Sequence, residues 1–173
     1  VESDEDDEKV WGSVKQGVEK ALDSLVEMRV SEGKRLAEDL EERLGAITVF
    51  LDKIRAKADS ESDTRYQALR ERIETLLRDF EVEPERFNTE IALMADKIDI
   101  TEESVRMTSH CTLFEETLWE SGPVGKKLNF LLQEMHREIN TIGAKCNNSG
   151  INHLVVDVKG ELEKMREQVQ NLE

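Results

Sequence analysis

The stretch LAEDLEERLGAITVFLDKI (Leu36–Ile54) places Leu36, Leu40, Leu44, Ile47, Leu51 and Ile54 at steps of three and four. That spacing lays one apolar stripe along a helix and leaves charged residues on the remaining faces. The stripe extends backward through Trp11, Val14, Val18, Leu22 and Leu25, so one long helix is predicted from about Glu8 to Lys57. The intervening MRVSEGKR (Met28–Arg35) loses the stripe and contains Gly33, which predicts a kink or a change of packing partner. Composition agrees with this reading. Charged residues make up 36% of the chain, aromatics 5%, and only two prolines occur. Such a mixture favours long helices with narrow apolar seams over strands.

The predicted fold is all-α, a long helical hairpin arm followed by a compact bundle of about four helices. Residues 1–7 (VESDEDD) read as an acidic disordered tail. Residues 8–80 form the arm, with a polar turn at ADSESDT (Ala58–Thr64) and a returning helix carrying Tyr66, Leu69, Ile73, Leu76 and Leu77. Residues 81–173 form the C-terminal helical domain. There Pro84 opens a helix running to about Asp96, with Phe87, Ile91 and Met94/Ala95 inward. Thr101 caps the next helix, which runs to about Glu120. SGPVG (Ser121–Gly125) and CNNSG (Cys146–Gly150) separate the last two, striped by Leu128 to Ile142 and by Ile151 to Leu172.

A net charge of −15 disfavours indiscriminate binding to nucleic acid or anionic membrane. The charge is uneven: residues 1–123 carry seventeen basic against thirty-two acidic side chains, residues 124–173 seven against seven. The last third can therefore accommodate a polyanion locally. Cys111 and Cys146 stand far apart, which reads as reduced thiols in a cytoplasmic protein and not as a zinc site. No apolar run approaches the roughly 18 residues that span a bilayer, so no membrane association is expected. The chain does not begin with Met and reads as a piece of something longer.

Two segments carry the residues capable of chemistry. In EIALMADKIDITEESVRMTSH (Glu90–His110), carboxylates cluster at a helix–turn–helix corner, and Glu103 and His110 share a face seven residues apart. Hard divalent cations take carboxylate oxygens, and Mn²⁺ also takes imidazole. In SGPVGKKLNFLLQEMHREINTIGAK (Ser121–Lys145), Lys126, Asn129, Gln133, His136, Arg137 and Asn140 lie opposite the apolar stripe. Such a row can hold a phosphate backbone and base edges. A nucleophile elbow is missing, and His153 stands isolated.

These two strings, with the terminal MREQVQNLE (Met165–Glu173), resemble the C-terminal signature of the YicC/YloC family of bacterial endoribonucleases. The similarity is dense over Glu83–Glu173 and looser over MRVSEGKRLAEDLEERL (Met28–Leu44). The resemblance implies a cytoplasmic, metal-dependent endoribonuclease acting on RNA with Mn²⁺ or Mg²⁺. It also implies a ring-like homo-oligomer, a hexamer in the full-length protein, and an N-terminal domain beyond this chain. On the matching positions, His110, Glu103, Glu134 and Arg137 are expected to be catalytic. Asp96, Asp99, Glu102, Glu103, His110 and Glu138 are the candidate metal ligands, and Glu90 falls on the same motif. Lys126, Lys127, Gln133, Asn140 and Lys145 are the candidate RNA and phosphate contacts. The sequence departs from the family pattern at Lys126 (Arg is usual), Asn129 (Asp is usual) and His136 (Asn is usual). Lys for Arg keeps the charge but loses bidentate phosphate contact. The competing reading is a non-catalytic helical oligomerisation or interaction module.

Overall fold

The computed structural model describes residues 3–78, 83–146 and 148–170, without the side chains of residues 3–7 and Arg65. Among them are five helices and no strand: α1 (Ser3–Leu76), α2 (Pro84–Ile98), α3 (Thr101–Leu118), α4 (Gly125–Lys145) and α5 (Ser149–Val169). The chain divides into two units, Val1–Asp39 and Leu40–Glu173.

The first unit is the opening of α1. Helix begins at Ser3, so it covers most of the acidic run expected to be disordered, while Val1 and Glu2 lie outside the described residues. The helix also passes through Gly33. Trp11, Val14, Val18, Leu22 and Leu25 form the anticipated stripe, and all five are solvent-exposed.

In the second unit α1 does not turn back at Ala58–Thr64; helix continues to Leu76 and no hairpin forms. The expected turn contains neither Pro nor Gly, and Ser and Asp cost a helix only about 0.5–0.7 kcal/mol each. Tertiary contacts outweigh that cost. Ala58 is buried in line with Leu51 and Ile54, and Asn148 donates to the Glu61 carboxylate at 2.7 Å. Ser60 turns its hydroxyl back to the Lys57 carbonyl at 2.9 Å. The residues assigned to a returning seam are correspondingly open: Tyr66 and Leu76 are exposed, and Leu69, Ile73 and Leu77 are half-buried.

The core is a four-helix bundle. Leu40, Leu44, Ile47, Leu51 and Ile54 of α1 are buried with Met107 and Phe114 of α3, Leu128 to Ile142 of α4, and Ile151 to Val169 of α5. Each fully buried aliphatic side chain contributes roughly 1.5–3 kcal/mol. Cross-links fix the register. The Arg43 guanidinium meets Glu161 at 2.9 Å, and the Trp119 indole N–H donates to Glu41 at 2.6 Å. Arg55 donates to the Ser104 carbonyl at 2.5 Å. These pairs run α1 antiparallel to both α3 and α5. Gly122 takes φ 105° in the turn between α3 and α4, a left-handed conformation that glycine adopts without strain.

Helix ends differ from expectation in one informative place. Thr101 does not cap α3; the Asp99 carboxylate does, accepting from the Thr101 N–H at 2.9 Å and its hydroxyl at 2.7 Å. Asn148 caps α5 by accepting from the Ile151 N–H at 3.0 Å. In α2, Ile91 is buried while Met94 is exposed. The break proposed at Phe80–Glu83 falls, but for Glu83, outside the described residues, as does Leu172.

Candidate nucleic-acid interface

At one end of the α3–α4 pair the acidic corner is closed by cations. Arg106, on α3, forks onto Glu138 of α4, with Nε to Oε1 at 2.8 Å and Nη2 to Oε2 at 2.9 Å. Its remaining edge meets Glu102 at 2.5 Å and Glu103 at 3.4 Å. Lys145, at the C-terminus of α4, reaches back to both Glu103 oxygens at 2.9 and 3.0 Å and to the Asp99 carbonyl at 2.8 Å. Glu103 and Glu138 are buried, so these contacts offset a desolvation cost that neither carboxylate bears alone.

Protonation follows the geometry. Burial pushes the Glu103 carboxyl up, but the Lys145 hydrogen bond, its own backbone N–H and the charges of Lys145 and Arg106 outweigh this and hold it below its ordinary value. Asp99 is lowered mainly by the Thr101 hydroxyl. Glutamates raise the Arg106 guanidinium, Glu138 foremost. Glu103 is thus a fixed anion near neutrality and organises charge instead of exchanging protons.

The structure brings Glu102, Glu103, Glu138 and Lys145 together around Arg106, a residue the sequence reading passed over. Its signal was present in the spacing, three and four positions after Glu103 and Glu102 on one helix. Asp99 joins through its carbonyl, while Asp96 and Glu90 are exposed on α2. Among the described residues no three Asp, Glu, His or Cys side chains gather where they can hold an ion. Of the carboxylates nominated for Mn²⁺ or Mg²⁺, Asp99, Glu102, Glu103 and Glu138 are occupied with Thr101, Arg106 and Lys145, and Asp96 stands exposed on α2, so these residues do not fit an ion centre by themselves.

His110 is half-buried on α3, one turn beyond Arg106 on the same flank. Continuing the antiparallel register set by Arg106 and Glu138 puts His110 level with Glu134 on α4. Glu134 lies 3.6 Å from Arg137, whose side chain is 74% exposed. Cys111, beside His110 in sequence, is buried, and burial pushes its thiol up to about 12, which leaves it inert.

The outer face of α4 has a different character. Lys126, Phe130, Gln133, Arg137 and Asn140 recur at steps of four and three and are all exposed. Lys127 is tied to Glu120 at 2.6 Å, and Lys145 is committed to the buried network. Phe130, 59% exposed in the middle of a polar row, was also missed; its placement among cations and amides was the available signal. Asn129 and His136 are half-buried, off this row. His136 is lowered by burial, which outweighs Glu163 nearby, and His153 is exposed on α5. A row of cation, aromatic ring, amide and guanidinium offers single-stranded nucleic acid both phosphate contacts and a stacking surface.

No helix among the described residues is long and apolar enough to cross a membrane. The chain is 43% identical over 173 residues to a protein of Clostridioides difficile (strain 630) named probable endoribonuclease YicC, covering 99% of this chain and 59% of that protein. A Haemophilus influenzae protein of the same name is 36% identical over 152 residues, 88% of this chain and 52% of that protein. The chain therefore spans about half the length of these curated relatives. Residues 54–173, which hold the paired network and the α4 row, match the family described as endoribonuclease YicC-like, C-terminal. The chain belongs to the YicC-like endoribonuclease family.

Proposed function

We propose that the protein to which this chain belongs is a cytoplasmic endoribonuclease, and that this chain supplies RNA contacts and part of the catalytic machinery. The exposed Lys126–Phe130–Gln133–Arg137–Asn140 row carries the reading. Phe130 stacks on an unpaired base while Lys126 and Arg137 take flanking phosphates. His110 accepts the proton of the attacking oxygen, whether an RNA 2′-hydroxyl or a water. The new O–P bond forms as the P–O5′ bond breaks, and the departing 5′-oxygen takes up a proton. Arg137 stabilises the negative charge that builds on the phosphorus oxygens. Glu134, level with His110, holds the Arg137 guanidinium in place. Glu103 and Glu138 keep α3 and α4 in register beneath.

The Mn²⁺ or Mg²⁺ requirement expected from the family resemblance is kept as a proposal about the whole protein, with ligands drawn in part from outside these helices. Chelation followed by Mn²⁺ add-back during cleavage by the whole protein tests it, and cleavage that ignores chelator removes it.

The deciding experiment measures binding and cleavage of a labelled stem-loop RNA by the whole protein and its Phe130→Ala, Arg137→Ala and His110→Ala variants. Loss of a stacked base costs about 1–3 kcal/mol, so Phe130→Ala weakens binding roughly 5- to 100-fold. His110→Ala leaves binding intact and abolishes cleavage. Unchanged affinity in Phe130→Ala and Arg137→Ala, with helical circular dichroism preserved, overturns the interface.

The exposed stripe from Trp11 to Leu25 favours a second role for the first unit, assembly with further copies of the chain. This extends the nuclease reading and does not compete with it.

A further inference from the structure

Away from the α4 row, α1 and the α2–α3 corner enclose a cavity of about 440 Å³. Small-molecule sites commonly occupy about 300–1,000 Å³. The α1 side of the lining carries Asp59, Asp63 and Tyr66, while α2 and α3 contribute aliphatic surface from Ala95, Ile98 and Val105. An aromatic ring and aliphatic side chains around one space suit a flat ring with apolar faces.

The polar groups narrow the choice. Asp59 and Asp63 are one helical turn apart on the same face, both exposed, and neither has a hydrogen-bond or ion-pair partner among the described residues. An ionised carboxylate only accepts hydrogen bonds, so the occupant must bring donors, and on a flat ring these are N–H groups. Ser104 also lines the cavity; it is 2% exposed and its hydroxyl has no partner among the described residues. Proteins seldom leave such a group unpaired, and a polar occupant supplies what is missing. Arg55, the cation of the lining, is already committed to the Ser104 carbonyl and to the Thr108 hydroxyl at 2.6 Å. Two unpaired carboxylates beside a committed Arg55 therefore favour a donor-bearing base over a phosphate.

We propose that this cavity is a recognition pocket for a guanine base. Guanine is the one standard RNA base whose pairing edge presents two adjacent donors, N1–H and the N2 amino group. Asp59 and Asp63 accept from that edge and Tyr66 stacks on the ring. The base comes from an unpaired position in an RNA strand or from a free nucleotide; only the first source rests on the nuclease reading.

The test titrates this chain with guanosine, inosine, adenosine and putrescine, followed by NMR, then with short uridine-rich RNAs carrying one central guanine, inosine or adenine. Guanosine should bind, inosine about ten-fold more weakly because it lacks the N2 amino group, and adenosine more weakly still. Asp63→Ala, at an exposed and unpaired helical position, should keep the fold and erase the preference for guanosine over inosine. Ser104→Ala should retain the fold and weaken guanosine. Tighter binding of the guanine-containing RNA than of both guanosine and the adenine-containing RNA identifies RNA as the source, and a preference for guanosine over adenosine with no difference between the two RNAs identifies the free nucleotide. Equal affinity for guanosine and adenosine, or binding of putrescine alone, overturns the proposal. Cleavage is not read, so loss of the nuclease reading and loss of the guanine pocket are separate results.

Discussion

Arg106 bonds to three glutamates on two helices, two of them buried, and the consequences of removing it follow from what is left behind. Arg106→Met strands the buried Glu138 charge and leaves Glu103 with Lys145 alone, so the urea midpoint should fall clearly at pH 7. Glu138→Gln in the same background should restore part of the loss, since it removes the stranded charge. The sign of the pH dependence is set by Glu103. Its folded value lies below the ordinary 4.5, so its stabilisation is complete above about pH 4.5 and is lost as pH falls through the lowered value. Lys145→Met should flatten that acid limb in a urea-denaturation series; an acid limb as steep as that of the parent would show that Lys145 does not hold Glu103 ionised. Sequence reading found these carboxylates because acidic residues around a helix–turn–helix corner are conspicuous. They look like ion ligands when Arg106, three and four positions after Glu103 and Glu102 on the same helix, is passed over, and when Lys145 at the far end of α4 and the α4 carboxylate of Glu138 are too distant in sequence to be paired with α3. Spacing along one helix does not reveal a partner 32 or 42 residues away.

Helix α1 shows the same limit at the scale of an element. The stripe from Leu40 to Ile54 was readable because burial on one face imposes a period of three and four. The polar ADSESDT segment has weak local preference, and weak preference yields to packing. What holds it helical is the burial of Ala58 and the bond from Asn148, the cap of α5, to Glu61, neither of which a local window contains. A proline tests this directly. At Ser60, an exposed helix-interior position, Pro removes a backbone hydrogen bond and crowds the preceding turn, costing about 3 kcal/mol. A segment that was really a turn would accept Ser60→Pro almost without cost, so an unchanged urea midpoint would refute the continuous helix. The α4 row was half legible for a related reason. Polar residues opposite a stripe are easily named, but Asn129 and His136 rotate toward neighbours while Phe130 rotates out, and only the packed bundle fixes that rotation.

For the whole molecule, the uneven charge and the bare stripe of the first unit bear on assembly. Trp11 is 67% exposed, and Val14, Val18, Leu22 and Leu25 continue its face without cover. An amphipathic helix stripe of this kind gains by meeting another apolar surface, and an identical helix supplies a matching one. The opposing term is repulsion, because each copy brings a net charge of −15. Repulsion between exposed charges is screened as the Debye length shrinks from about 10 Å at 0.1 M salt to about 3 Å at 1 M, whereas apolar burial is not weakened. Association through this stripe should therefore strengthen with salt, opposite to association driven by complementary charge. Sedimentation of this chain and of the whole protein across salt and concentration reads the sign. Trp11→Asp with Leu22→Asp should reduce the mass while leaving urea unfolding of the Leu40–Glu173 unit unchanged. A mass that stays monomeric at high salt and high concentration would remove the stripe as an assembly surface. A mass that falls with salt would move the contact to charged faces instead.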